Sequence, residues 1–573
     1  MKRRPLFPPR AKGKRSRFWP WFFAIMLFII LFIFSSLGSL RIFLPYYPEI
    51  SGLPFGSRNY LIVFQNNHEL RPAGGFISAY GIAKFRYGFF TGLDMADVYG
   101  DIDEHAFMEP PYPMRKLLAN RWYKGYTFRD ANFNPDFPKT AQELTRMLQI
   151  TKPNLQVSGV IAVNYSFLEN LLGSLGQIEV NGKIFSRDNL FEALEYEVNN
   201  IDQHNPEELK NRKGILKSLA SAIIKKILLN PFKLRKASDT IVHSLTAKEI
   251  QFYFSDPSLE KLMMSQGWAG EWPKITDSDF LAVNEANLGG MKSDRYLQRK
   301  VTYHLKVEQD PATGQQNLVG DVLIDLYHFG IENIPLSGSY TGFIRTYVPK
   351  GAILLDITPA YKADLWQADD GDLHIFGNIV RLNPGNRIQL HYRYSLPPNL
   401  LVRNNYYRLF IPKQSGISDD YYTIITEFPQ GLRVEGESFT SRENFGVYQN
   451  ELNADLNLHL NVLPDKAPPR ITSQAIDHLG EITIVFNEDI SDASAKDPLN
   501  YEITDRDFSN KNLSDHLQLD HIEHSGKGVT LFVKGMSVQP EEHYSIVLQN
   551  IADLHGNIID PNPKTITAVQ RLR

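Results

Sequence analysis

The residues best suited to chemistry in this chain lie in one short segment. Gln65-Asn66-Asn67-His68-Glu69-Leu70-Arg71-Pro72-Ala73-Gly74-Gly75 gathers amides, an acid, an arginine and paired glycines. That set suits an anionic, oxygen-rich ligand. Arg71 offers parallel N–H donors in one plane. Gly74 and Gly75 let backbone amides come close to a phosphate. Asn67 adds an amide and Glu69 a carboxylate. The same residues also describe a polar loop whose Asn and Gly merely make turns, so both readings stand.

Two further groups bear on the first. Asp94, Asp97, Asp101, Asp103 and Glu104 precede Arg129-Asp130-Ala131-Asn132. Clustered carboxylates without matching lysines suit Mg²⁺ beside a phosphate; exposed loops have the same composition. On a helix expected over 207–229, the apolar stripe is Ile215, Leu216, Leu219, Ile223 and Ile227. At 100° per residue Arg212 falls within that stripe. A buried arginine needs a partner, either a structural carboxylate or a bound phosphate.

Much other chemistry is excluded. The chain has no cysteine, hence no disulfide, thiolate metal site or cysteine nucleophile. It lacks a P-loop, an HExxH helix, a GxSxG elbow and an EF-hand loop. Asp553-Leu-His-Gly-Asn reads as a turn rather than a metal site. A net charge of -3 gives no sign of nucleic acid as a partner.

The elements that would position these residues follow from apolar patterning. Asn59–Phe64, Phe76–Ala83 and Val157–Val163 read as buried strands. Asp136-Phe137-Pro138 reads as a helix start with Asp136 as cap, and Phe137, Ala141, Leu144 and Leu148 share a face. Ser166 is the expected cap of the next helix, Gly176 its end, and Ile178–Val180 a strand after it. Strands alternating with helices predict an α/β head, a sheet flanked by helices, over residues 55–277. From about Asp279 the pattern turns to strands alone (Tyr303–Val307, Leu318–Tyr327, Tyr340–Val348, Arg387–Tyr394). This predicts a β-sandwich region over 278–463. Residues 464–469 form a linker. Residues 470–573, with strands at Glu481–Phe486, Val529–Val533 and Tyr544–Leu548, are expected to be one immunoglobulin-like domain.

The N-terminus predicts topology. Residues 1–17 hold eight basic residues and no acid, and residues 18–40 hold no charge at all. An uncharged stretch of that length spans a bilayer core, and Trp19, Trp21, Tyr46 and Tyr47 suit its interfaces. The expectation is a basic cytoplasmic tail, a single-pass plasma-membrane anchor and an extracytoplasmic bulk. The rival, a cleaved signal peptide, lacks a good cleavage site at Ser35-Ser36-Leu37-Gly38.

Three stretches together resemble the domain-of-unknown-function family 4012 of bacterial membrane-anchored proteins: QNNHELRPAGGFISAYG, DANFNPDFPKTAQEL and DFLAVNEANLGGMKSDRYL. The order of elements is also similar, more distantly, to the LytR-CpsA-Psr phosphotransferases. VNYSFLENLLGSLGQIEV at 163–180 resembles one of their regions, and Asn211-Arg212-Lys213-Gly214-Ile215 resembles an arginine-bearing helix start. The resemblance implies an α/β head that binds a polyprenyl-pyrophosphate-linked glycan, or another anionic lipid, through Arg71, Arg212, Asn67, Asn132 and the Gly74-Gly75 backbone. It implies transfer of the glycan phosphate to a cell-wall polymer, with Asp97 and Glu69 as catalytic residues and Mg²⁺ on Asp97 and Asp130. The sequence departs from that pattern at Arg71-Pro72-Ala73, where the family has an acid, and at Met95-Ala96-Asp97, where it has an arginine. The rival implied by those departures is a non-catalytic scaffold or adhesion protein with a degenerate head. PPRITS and FNEDISDASAKDPLNYEI resemble bacterial immunoglobulin-like repeats.

Overall fold

The computed structural model describes residues 37–103, 107–118, 125–199, 214–275, 278–309, 314–332, 336–400, 406–477, 480–505, 517–534 and 543–569. The basic tail, the expected anchor up to residue 36, and Arg212 lie outside the described residues. Among the described residues no helix is long and apolar enough to cross a membrane.

The head is built on a five-stranded sheet. Its strands are β1 (Ser57–Asn66), β2 (Phe76–Arg86), β3 (Phe89–Asp97), β4 (Gly159–Asn164) and β5 (Ile250–Phe254), in the order β3-β2-β1-β4-β5. Only β1 and β4 run parallel; the other pairs are antiparallel. β1 is central and apolar on both faces. Leu61 and Val63 join the core that contains helix α1 (Phe137–Thr151). Tyr60, Ile62 and Phe64 face the opposite side. There α2 (Tyr165–Leu175), α3 (Gly214–Leu228) and α4 (Pro231–Thr246) pack together. Ile215, Leu216, Leu219 and Ile223 are buried as their spacing requires.

Two helix starts differ from expectation. Asn164, not Ser166, caps α2, because its side chain accepts from Phe167 N at 3.1 Å. Asn164 ends β4, so the chain turns into the helix two residues earlier than a serine cap would allow. Asp136 stands at the cap position of α1, but its carboxylate makes no cap bond and faces Lys139 at 3.5 Å. Gly176 ends α2 with φ 76°.

From Asp279 onward the described chain forms β sheets joined by turns and short helices. A seven-stranded sheet and two four-stranded sheets enclose a core in which Tyr303, Tyr340, Tyr392, Tyr394 and Tyr422 are wholly buried. One of these sheets, containing Ala282–Asn287, Tyr340–Pro349, Trp366–Asp370 and Leu373–Leu382, also packs on the head. Its Ala286, Phe343 and Ile379 belong to the same core as α1. The last segment, Ile471–Val569, pairs a four-stranded with a three-stranded sheet around a separate core. The chain is thus a mixed α/β head followed by β domains.

Candidate functional site

β1 ends in the polar loop, and the next sheet closes over that loop. Arg71, 3% exposed, donates Nε to Asp130 Oδ1 at 2.8 Å and Nη2 to Glu69 Oε1 at 3.1 Å. Its Nη1 donates to the carbonyls of Leu70 at 3.1 Å and Asn287 at 2.6 Å. The guanidinium also lies over the Phe76 ring, 5.2 Å from its centre. Burial disfavours its charge, but Asp130 and Glu69 outweigh that and hold its pKa above the ordinary value. Burial pushes the Glu69 carboxyl up against the pull of Arg71.

The rest of the loop is equally committed. Leu70 N donates to Asp294 Oδ2 at 3.0 Å, and Asn287 Nδ2 reaches the same oxygen at 2.6 Å. Asn67 Nδ2 donates to Ser166 Oγ and to Gly416 O, and its oxygen accepts from Tyr165 N. Asn132 Nδ2 donates to Gly75 O at 2.6 Å. A Cβ on Gly75 would stand 2.4 Å from Asn66 O. Gly74, at φ 132°, is pressed on Gln65. The loop is polar and glycine-rich because two layers of backbone meet through it.

The acidic residues surround this node unevenly. Asp130 also lies 3.7 Å from Arg129, and Arg129 stands 3.4 Å from Asp103 and 5.0 Å from the Tyr99 ring centre. Burial pushes Asp103 up to about 6, although Arg129 opposes it. Asp97 ends β3 and accepts from Tyr99 N at 3.0 Å. Among the described residues neither Asp97 nor Asp130 belongs to a metal-like trio. Among the described residues that spacing occurs at Asp465, Asp553 and His555, whose ligand atoms lie within 4.8 Å of one another. Asp553 there accepts from His555 N and Asn557 N, as a turn does.

Beside the node, at the carboxyl ends of the two parallel strands, a cleft of about 370 Å³ opens between α2 and the β region. Ligands of open α/β sheets occupy such a position. Three polar side chains in it have no hydrogen bond or ion pair among the described residues: the His68 ring, the Glu169 carboxyl and the Arg187 guanidinium. Burial, helped by the charge of Glu192, pushes Glu169 up to about 7 against Arg295 and Arg187. Burial, then Arg295, drives His68 down to about 4. His68 meets the Phe191 ring edge-on, with centres 4.3 Å apart. Arg295 lies over the same ring, 4.8 Å from its centre, and pairs with Glu192 at 2.9 Å. Asn67, His68 and Leu70 are the part of the predicted loop that reaches this cleft. Sequence patterning singles out neither Glu169, a polar position among the apolar residues of α2, nor Arg187.

Residues 56–198, about a quarter of the chain, match the family described as "Protein of unknown function (DUF4012)". No curated protein matches. Among solved structures, TagV from B. subtilis aligns at 13% identity over 39% of this chain and 85% of that chain, with a TM-score of 0.22. Lin1025 from Listeria innocua aligns at 11% identity over 46% and 90%, also at 0.22. The N-terminal part of the bacterial S-layer protein SbsC aligns at 19% identity and a TM-score of 0.16. That match covers 18% of this chain and spans about a quarter, 24%, of the S-layer chain. At these scores the likenesses bear no functional inference.

Proposed function

We propose that this is a cell-envelope protein, anchored by residues 18–40, whose α/β head holds a glycan of the cell wall or of a polyprenyl carrier in the cleft beside β1 and β4. The observation that carries this reading is the trio His68, Glu169 and Arg187. These planar polar groups line an open cleft and have no hydrogen bond among the described residues. Sugar hydroxyls both donate and accept, which suits a site offering a carboxyl, an imidazole and a guanidinium together. The cleft also contains Asp188, Glu192 and Asp419, an acidic balance that suits hydroxyls better than a pyrophosphate.

Phosphate transfer is the finer alternative, with Mg²⁺ on Asp97 and Asp130 and with Arg71 and Arg212 on the pyrophosphate. The closed pairing of Arg71 with Asp130 speaks against Arg71 in that role, and therefore favours binding without transfer. The test is to purify the full-length protein from its native membrane and identify co-extracted glycan by mass spectrometry. Wild type should carry a glycan that Glu169→Gln with Arg187→Ala loses. Equal glycan on the double variant overturns the cleft. Equal turnover of a polyprenyl-pyrophosphate glycan with and without Arg71 would remove Arg71 from any transfer.

A further inference from the structure

The strand Tyr340–Pro349 alternates between two cores. Tyr340, Ile344 and Val348 point into the β-region core, while Phe343 points to the head. Arg345 shares the phase of Phe343 and Tyr347. It is therefore an arginine in the layer between head and β region, and it is only 6% exposed.

Among the described residues it has no ion pair, and the neighbouring Tyr347, then the more distant charge of Asp370, favour the cation against its burial. Nη2 donates to Asn284 Oδ1 at 2.7 Å and to Phe133 O at 3.2 Å, both neutral acceptors. Asn284 is its direct cross-strand neighbour. Nε is enclosed and has no acceptor among the described residues. The guanidinium lies between aromatic rings, 4.7 Å from the centre of Phe133 and 5.5 Å from that of Tyr347. Burial lowers its pKa, in contrast to Arg71 and Arg299, which their acids raise. A buried cation without a counter-charge is costly.

Arg345 lines an open pocket of about 520 Å³. Three carboxylates line it too, and each already has a cation. Asp370 is 3.2 Å from Lys139, Glu143 2.9 Å from Arg146 and Glu109 2.9 Å from Arg115. The guanidinium is the charge left over. The wall beside it is aromatic: Tyr112 stacks on Trp366 with ring centres 5.7 Å apart, and Phe343 meets Trp366 edge-on at 5.8 Å. Gly377, opposite Arg345 in the register, makes that wall possible. A Cβ there would stand 2.6 Å from Phe343 and 2.9 Å from Trp366.

We infer that this pocket is a second ligand site, for a saccharide carrying an oxyanion, with the phosphate or carboxylate on Arg345 and the sugar ring against the Tyr112–Trp366 wall. Aromatic faces hold sugar rings through their C–H edges while a guanidinium pairs the oxyanion. The site lies on the α1 side of the head sheet, away from the cleft, and does not depend on the cleft's occupant.

The test titrates the full-length protein with glucose 6-phosphate, glucuronate, glucose and inorganic phosphate, followed by calorimetry and tryptophan fluorescence. At least one anionic sugar should bind tenfold or more tighter than glucose and than inorganic phosphate. Preference for glucose 6-phosphate or for glucuronate tells phosphate from carboxylate. Arg345→Gln should weaken that binding at least tenfold. Arg345→Lys, which keeps the charge and loses the fork, should fold and still bind more weakly than wild type. Glu169→Gln should leave it unchanged. The inference fails if neither anionic sugar binds better than glucose, or if binding survives Arg345→Gln and Arg345→Lys at full strength. Should Arg345→Gln not fold, the lysine variant and the wild-type preferences decide.

Discussion

Arg71 Nη1 donates to the carbonyl of Asn287 at 2.6 Å, a bond that joins residues 216 apart in the chain and ties the head to the first long strand of the β region. The three stretches that carry the family resemblance meet here: Arg71 from the first, Asp130 from the second, Asn287 and Asp294 from the third. The guanidinium thus acts as a buried clasp. Removing one partner of such a pair strands the other charge, at about 3–5 kcal/mol. Arg71→Ala should lose that much in urea unfolding, and proteolysis should find the 278–297 segment more readily. An Arg71→Ala protein of native stability would mean that the guanidinium is available to a ligand after all.

The glycine pair makes a steric prediction. Gly75 takes no left-handed conformation, yet a methyl group there would overlap Asn66 O at 2.4 Å. The neighbour is backbone in the last residue of β1, so it cannot swing away. Gly75→Ala should cost about 2 kcal/mol or more through displaced backbone. Gly182, at φ 75° with nothing within 4 Å, gives the comparison. Gly182→Ala should cost only about 1 kcal/mol from backbone strain. Thermal melts of the two variants check the order; equal losses would show that the loop yields.

Strands and helices were legible where one face or two faces are apolar throughout, as in β1, β2 and α1. The change from mixed to all-β at Asp279 was legible for the same reason. β3 and β5 were not: both are edge strands, β3 (FFTGLDMAD) is broken by a glycine and polar residues, and β5 (IQFYF) is only five residues long. Arg71 was singled out as a donor to a bound anion, and in the structure its donors go instead to Asp130, Glu69 and the carbonyls of Leu70 and Asn287. The sequence could not tell internal acids from a ligand, since Asp130 and Asn287 are brought in by distant segments. The reasoning applied to Arg212, that an arginine in the apolar phase needs a partner, also fits Arg345. In Tyr340–Pro349 the signal was an arginine between Phe343 and Tyr347 at a spacing of two.

Asp279, the first residue of the β region, is 1% exposed. Its Oδ2 accepts from the hydroxyls of Tyr303, at 2.6 Å, and Tyr407. Burial raises its pKa to about 6 despite those donors. Losing a hydroxyl leaves a buried carboxylate with one donor fewer, so Tyr303→Phe should cost about 1–3 kcal/mol. The loss should be larger at about pH 8 than at about pH 5, because the stranded carboxyl is charged at the higher pH. Denaturant melts at the two pH values measure this, and a pH-independent loss would exclude the carboxylate as the cause.

Glu169 sets the pH dependence of the cleft. Its folded pKa of about 7 stands above the ordinary 4.5, through burial first and the charge of Glu192 second. A raised pKa means that the folded state prefers the protonated form. Its stabilising contribution is therefore complete below about pH 4.5 and is lost as the pH rises through about 7. The side chain is partly in water, which reduces the effect to the order of 1–2 kcal/mol. Glu169→Gln, fixed in a neutral form, should escape that loss. Relative to wild type it should gain stability between about pH 5 and about pH 8. His68 works in the opposite direction and in a lower window: its depressed pKa contributes above about 6.5 and is lost as the pH falls through about 4. Melting temperatures of wild type and Glu169→Gln across this range give the difference directly, and parallel curves would show that Glu169 titrates at its ordinary pKa.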